Sequence, residues 1–403
     1  VEPKIDIEDF TYNLPDDKIA KYPLPERDAS KILIYKGGVI SESKFSNITE
    51  FIPLESIIIF NNTKVVPARL IFRKESGAKI EIFCLEPFKP AEYVNSFSSR
   101  KECSWVAVVG NAKRWKSGLV HFNNFDNEDA AKINLKAQCE ERKGDKYIIK
   151  FSWSGDLSFS EVLEICGKVP IPPYLHRDAQ ESDRERYQTL YAKERGSVAA
   201  PTAGLHFTKE ILNKISGCGI CMGEICLHVG AGTFIPVKSR EVSEHKMHSE
   251  PFSVSLSFIK DLHSKVVEKK SIVAVGTTCV RSIESLYYLG LQTIRFGKPG
   301  DVSQWEPYSC DETHTAADML KALIDWMELS DLQYLERRTE IIIVPGYKFK
   351  FIDVLITNFH QPQSTLLLLI SAFTGDGWRD IYNYALENDF RFLSYGDSSI
   401  LFR

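Results

Sequence analysis

The sequence predicts an α/β protein that carries a separate, small all-β unit in its N-terminal part. Three observations carry this. The 403 residues exceed one ordinary domain. Between Lys64 and Lys150 short alternating or β-branched runs recur, divided by turn residues. After Ser160 helical and strand patterns alternate, the mark of an α/β arrangement.

In chain order, Asp9 to Ser30 reads as an extended surface segment, because Pro23 and Pro25 forbid a helix there. Ile32–Tyr35 and Ile57–Phe60 are β-branched runs expected to be buried strands. Ala68–Phe72, Lys79–Leu85, Trp105–Val109, Leu119–Phe122 and Tyr147–Phe151 predict a small antiparallel sheet or barrel. Ser160–Cys166 reads as a helix stopped by Gly167 and followed by a loop set by Pro170, Pro172 and Pro173. Thr208 is the expected N-cap of a helix to Ile215. Ser257–Lys269 and Ala316–Trp326 read as helices, and Ile272–Val275, Glu340–Val344 and Val354–Thr357 as strands. Phe390 to Asp397 reads as a last strand with a polar tip.

Composition bounds the setting. An apolar fraction of 43% and a charged fraction of 26% are those of a globular protein. The net charge of −4 argues against coating by nucleic acid through bulk charge. Locally the balance differs: Lys64 to Phe151 holds 17 Lys+Arg against 11 Asp+Glu. Arg100, Lys101, Lys113, Arg114 and Lys116 lie near Trp105 and Trp115, a pattern suited to a phosphate backbone and an unstacked base, or to a solvated rim. Nine cysteines, an odd set, read as reduced thiols and point to the cytoplasm. No apolar run reaches the ~20 residues of a membrane-spanning helix. No long apolar stripe asks for a second copy, so a monomer is expected.

Several polar, glycine-rich motifs follow strands or open helices. Pro201-Thr202-Ala203-Gly204-Leu205-His206-Phe207 precedes the helix begun by Thr208, where free N–H groups favour negative charge. Leu227-His228-Val229-Gly230-Ala231-Gly232-Thr233-Phe234 lacks the third glycine and the helix of a dinucleotide fingerprint, and fits a ligand-facing turn better. His245 and His248 would share a face on a helix, with Glu250 beside them, but no usual third zinc ligand is offered. Cys218 and Cys221 likewise lack a second pair, and no metal is expected. Gly276-Thr277-Thr278 follows a buried strand and leads to Arg281, the place where open α/β sheets hold ligands. Asn358-Phe359-His360 follows another strand in the same way. Each motif alone is compatible with packing; their recurrence at strand ends is not.

The ordered set formed by Phe60-Asn61-Asn62-Thr63-Lys64-Val65-Val66-Pro67-Ala68-Arg69-Leu70, the blocks at 201–207, 227–234, 245–250 and 275–285, Thr357-Asn358-Phe359-His360, and Phe392 to Asp397 resembles the S-adenosylmethionine:tRNA ribosyltransferase-isomerase family of queuosine biosynthesis. The resemblance runs from Asp9 to Leu401. It implies a discontinuous α/β domain with a mixed sheet, residues 1–63 and 152–403, interrupted by a small all-β barrel, residues 64–151. It further implies S-adenosylmethionine as a ribosyl donor. The acceptor would be 7-aminomethyl-7-deazaguanine at the wobble position of tRNA, with the anticodon loop met by the basic barrel. Epoxyqueuosine would form as adenine and methionine leave. The sulfonium acidifies the 5′ carbon, so a base must remove its proton. Within the matching motifs His206, His228, His360 and Asp397 are the catalytic candidates, His245 and His248 lie beside them, and Glu250 or Asp397 could orient a histidine. Thr202, Gly204, Gly230, Gly232, Thr233, Thr277, Thr278 and Arg281 are the candidates for holding the donor, Arg281 being suited to its carboxylate.

The chain departs from the family pattern between Ser285 and Val344, which is longer and reads as a surface loop followed by a helix. A relative with a shifted acceptor, or a non-catalytic RNA-binding protein on the same fold, are the readings to weigh against the enzyme.

Overall fold

The structure, a computed structural model, describes residues 3–403 apart from 75, 116–117, 123–127, 145, 231–236, 238 and 311–312. Strands β1 (Lys31–Lys36), β2 (Val39–Lys44), β3 (Ile57–Asn61) and β4 (Thr63–Val65) come first. Next, β5 (Arg69–Arg73), β6 (Lys79–Lys89), β7 (Glu102–Gly110), β8 (Leu119–His121), β9 (Lys136–Lys143) and β10 (Lys146–Ser152) close a barrel in the order β10-β7-β6-β5-β8-β9. All its pairings are antiparallel. Then follow β11 (Glu194–Ser197), β12 (Cys221–Leu227), β13 (Glu250–Ser255), β14 (Ile272–Val275), β15 (Tyr334–Thr339), β16 (Val354–Asn358) and β17 (Ser398–Phe402). A nine-stranded sheet runs β15-β13-β12-β3-β14-β16-β17-β1-β2, and β4 pairs separately with β11. The α/β architecture with a mixed sheet and a small all-β barrel is therefore present.

β12, β3, β14 and β16 are mutually parallel, whereas β17 is antiparallel to β16. β3, β14 and β16 are buried at every position, covered on both faces, hence their largely apolar sequences, whereas β12 begins with exposed Cys221 and Met222. Ile57 and Ile59 enter the cluster formed with helices Leu256–Val267, Thr277–Phe296 and Ala316–Leu329. Ile58 and Phe60 point the other way, to Phe45, Phe207, Ile211 and Ile215. Each such fully buried side chain contributes about 1.5–3 kcal/mol. Thr208 does cap its helix: its hydroxyl accepts from Ile211 N–H at 3.3 Å. Among the described residues no helix is long and apolar enough to cross a membrane.

Three expectations are corrected. The strand expected at Glu340–Val344 is β15, at Tyr334–Thr339; the ladder with β13 ends at Thr339, whose hydroxyl accepts from Ile341 N–H at 3.1 Å. The apolar run beyond it is buried by helix packing instead. Phe390 to Asp397 is not a strand, because Asp397 draws it into a turn by accepting from Lys31 N–H (3.0 Å) and Arg391 N–H (2.7 Å); the strand is β17. His245 and His248 lie outside any helix. The longer stretch after Ser285 is, as expected, a largely exposed or half-buried loop over the described residues of 297–315 and then helix Ala316–Leu329, one face of which (Met319, Leu320, Leu323 and Met327) enters the core.

The aromatic–basic pattern on the barrel also resolves differently. In β7 Cys103, Trp105, Ala107 and Val109 are buried, so Trp105 fills the interior, and Trp115 is buried too. Trp105 cannot stack on a base, whereas Trp115, though largely buried, lines an open depression on the barrel surface. Arg100 and Lys101 donate to carbonyls of Asp156 and Gly155, whereas Lys113, Arg114, Arg142 and Tyr147 line the same depression as Trp115.

Candidate active site

The parallel strands end on one edge, and the residues that follow them build the site, as is general for open α/β sheets. At the end of β3, Asn61 ties two strand ends together. Its Oδ1 accepts from Leu227 N–H (3.1 Å) and Thr63 N–H (3.2 Å), and its Nδ2 donates to Leu227 O (3.0 Å). After β14, Gly276 leads into helix Thr277–Phe296 with no side-chain cap, so N–H groups of the first turn are open. β16 ends on Asn358, and His360 follows it. With Tyr174, Thr202, Val229, Thr277, Thr278 and Ser394 these last two line a strand-end cavity of about 710 Å³.

The three histidines singled out from the sequence occupy three different surroundings. His206 is buried with both ring nitrogens engaged. Asn358 Nδ2 donates to Leu393 O (3.0 Å) and Ser394 O (3.2 Å), so its Oδ1 accepts from His206 Nε2 at 3.0 Å. His206 Nδ1 then accepts from the Ser30 hydroxyl at 2.8 Å. Burial brings its pKa down to about 4, so the ring is neutral. It lines a smaller cavity of about 290 Å³ behind the strand-end one, and it braces Asn358.

His360 lines the strand-end cavity itself. Its Nε2 lies 3.0 Å from Thr357 Oγ1, and its main chain is held by Tyr12 and Tyr382 hydroxyls. Burial lowers its pKa to about 3.

His228 faces the barrel. Thr63 Oγ1 holds Nδ1 at 3.1 Å, and the nearest partner of Nε2 is Cys226 Sγ at 3.8 Å. Tyr93, from the barrel, stacks on the ring at 4.7 Å and 30°. The ring also sits against Gly196, where any Cβ would come within 2.5 Å of it, so only glycine fits. Burial lowers the pKa of His228 to about 4.

His228 lines a cleft of about 1000 Å³ between Glu86, Tyr93 and Lys146 of the barrel and Gly230, His248, Glu250 and Arg338 of the sheet unit. A third cavity, about 530 Å³, is lined by His245, His248, Glu250, Arg281, Thr365 and Leu366 among others. It shares Leu366 with the strand-end cavity, and Met247, His248 and Glu250 with the cleft. Glu250 Oε1 accepts from Gly230 N–H at 3.0 Å while Oε2 pairs with Arg281.

Thus Thr202, Thr277, Thr278 and His360 come together in one cavity, His228 and Gly230 in the cleft, and Arg281 in a space that shares lining residues with both. Gly204 lies under Tyr191, whose hydroxyl would be 1.9 Å from any Cβ, so a neighbouring side chain takes its open side. Asp397 holds the 391–397 turn. Gly232 and Thr233 lie outside the described residues. Among the described residues no three His, Cys, Asp or Glu side chains converge as a metal group would require. Sequence reasoning missed Tyr93 and Tyr174; Ser394 lies within the motif Phe392 to Asp397 but was not named as a site residue. Nothing local marks the two tyrosines, since each reaches the site from a distant part of the chain.

A family model described as queuosine biosynthesis protein matches residues 7–401. A protein of Halothermothrix orenii is 38% identical over 399 residues, covering 98% of this chain and 99% of its own. Proteins of Trichlorobacter lovleyi (35% over 399 residues) and a Sulfurihydrogenibium species (36% over 401) have the same coverage, 98% and 99%. All three are named S-adenosylmethionine:tRNA ribosyltransferase-isomerase. A solved structure of an S-adenosylmethionine tRNA ribosyltransferase from Thermotoga maritima is 25% identical, covers 97% of this chain and 99% of that one, and has a TM-score of 0.46.

Proposed function

This chain belongs to the queuosine biosynthesis protein family, and we propose that it transfers and isomerises the ribosyl moiety of S-adenosylmethionine onto a tRNA base. The acceptor in this reading is 7-aminomethyl-7-deazaguanine at the wobble position, and the products are epoxyqueuosine, adenine and methionine. One observation carries the reading: Val229 lines the strand-end cavity while His228 and Gly230 line the cleft. A donor in the first and an acceptor entering through the second would meet across that single length of backbone.

The adenosyl part of the donor lies at the strand ends, against the hydroxyls of Thr202, Thr277 and Thr278 and the ring of His360. The open N–H groups at the start of helix Thr277–Phe296 supply further donors there. The acceptor base enters the cleft, where Tyr93 and Glu86 wait on the barrel side. Reaction begins with loss of a proton from the carbon beside the sulfonium. His228 is neutral at physiological pH, and its Nε2 has no oxygen or nitrogen partner among the described residues, so it is the proton acceptor in this reading. A weak base is adequate only for a strongly acidified C–H bond, which the sulfonium provides. The aminomethyl nitrogen, unprotonated, then attacks the rearranging ribosyl group as adenine and methionine depart. His206 and Asp397 act as positioning residues, for Asn358 and for the 391–397 turn. Lys113, Arg114 and Arg142 meet backbone phosphates of the anticodon stem-loop. All three cavities belong to one chain, so a monomer suffices.

The test is incubation with S-adenosylmethionine and tRNA carrying the deazaguanine. Adenine and methionine should appear in equal amounts. Appearance of S-adenosylhomocysteine instead would mean methyl transfer and end this reading.

A further inference from the structure

We propose that the cavity around Arg281 is a carboxylate pocket that anchors the amino-acid end of the sulfonium donor. Its donors are Arg281 Nη2 and the main-chain N–H groups of Thr365 and Leu366. The inference rests on S-adenosylmethionine being the donor.

Arg281 is only 9% exposed. Its Nε donates to Ile341 O at 3.1 Å and its Nη1 to Glu250, but Nη2 is buried with no partner among the described residues. An unmet guanidinium N–H in such a place is costly and calls for an acceptor from outside the chain. Glu250 does not fill that need, because its second oxygen is taken by Gly230 N–H. The Arg281–Glu250 pair therefore sums to no charge, and one donor is left over.

The second half of the pocket comes from a different element. Helix Thr365–Thr374 begins at the cavity wall, where Thr365 and Leu366 are lining residues. Ser364 caps it, but its hydroxyl serves Leu367 N–H (3.2 Å) and its carbonyl serves Leu368 N–H (3.2 Å). The N–H groups of Thr365 and Leu366 are left without an acceptor among the described residues, and the helix start favours negative charge. Guanidinium and helix end together make a two-sided site for a carboxylate. The cavity shares the lining residue Leu366 with the strand-end space and His248 and Glu250 with the cleft, so a carboxylate held here lies within one side chain of both.

The probe is S-adenosylmethionine against its decarboxylated analogue, which keeps the sulfonium, ribose and adenine. Equilibrium binding by calorimetry and adenine release on tRNA are both read. The wild-type chain should prefer the carboxylate-bearing donor by about 10- to 100-fold, and Arg281→Gln should bring that ratio towards one. Thr365→Pro removes one N–H at a helix position where proline is well accepted, after an extended Ser364 (φ −115°, ψ 151°). It should reduce the ratio by a smaller factor, and it carries the test if Arg281→Gln does not fold. Equal binding of the two donors by the wild-type chain, or an unchanged ratio in both variants, overturns the pocket. An unchanged ratio with weakened tRNA binding would mean an RNA phosphate occupies it, which also overturns it. Carboxylate-dependent binding without adenine release leaves the pocket standing and sinks the ribosyl-transfer reading.

Discussion

The sheet edge and the barrel bury apolar side chains equally well but treat polar groups in opposite ways. The barrel closes on itself, so its strands satisfy one another and its interior holds Phe72, Trp105 and Phe151. The parallel strands of the sheet cannot close. Their ends leave Asn61, Thr277, Thr357, Asn358 and His360 buried, and these satisfy one another or wait for a ligand. Chemistry is therefore concentrated where the sheet stops, and the barrel contributes from its outer surface, through Glu86, Tyr93 and Lys146.

The contrast can be broken at several points, beginning with the largest effect. His228→Ala should lower turnover by about 10²- to 10⁴-fold in adenine release while leaving the thermal midpoint close to that of the parent. Near-normal turnover would remove the reaction from the boundary between the two units. Trp105→Ala on the barrel side should do the reverse, costing about 3–5 kcal/mol in a denaturant titration while the residual folded protein keeps its kcat. His206→Ala should cost about 1–3 kcal/mol at pH 7, since Asn358 Oδ1 and the Ser30 hydroxyl would lose a partner.

The same histidine gives a pH test. In the folded chain His206 titrates at about 4 and His360 at about 3, against about 6.5 when unfolded. Between 6.5 and those values the unfolded chain holds protons that the folded chain does not. Stability should therefore fall with pH in that window, by about 1.4 kcal/mol per pH unit for each ring. Calorimetric melting from pH 7 to 5 checks it, and His206→Ala should flatten the slope. The smallest effect belongs to the barrel surface. Arg142→Ala should weaken tRNA binding modestly and reduce the salt dependence of log K by about one. An unchanged salt slope would take the phosphates elsewhere.

Much of this was legible in the sequence because the strand-end motifs announce themselves: an apolar run, then Asn, Gly, Thr or His. Gly276 to Thr278 and Asn358 to His360 were found in this way. The barrel surface was less legible, since whether a tryptophan faces in or out depends on the phase of its strand, which neighbouring charge does not set. Trp105 lies on the inward phase of β7. Tyr93 was invisible for another reason: its partner His228 is far along the chain. The run from Ile341 to Val344 shows that β-branched residues ask for burial, which helix packing supplies as well as a ladder does.

The parallel pairing of Thr63–Val65 with Glu194–Ser197 has a consequence for assembly. It joins two points of the chain that flank the whole barrel, and closing a flexible loop of that length costs about 4 kcal/mol beyond a constant. The hairpins of the barrel are local by comparison and shorten the free path once they form. Folding should thus proceed from the inserted unit outwards, with β4 and β11 zipped late and the reaction edge completed last. In pulse-labelled hydrogen exchange the amides of Ile82 and Trp105 should gain protection before those of Ile58 and Val273; the opposite order would mean the sheet closes its own long loop unaided.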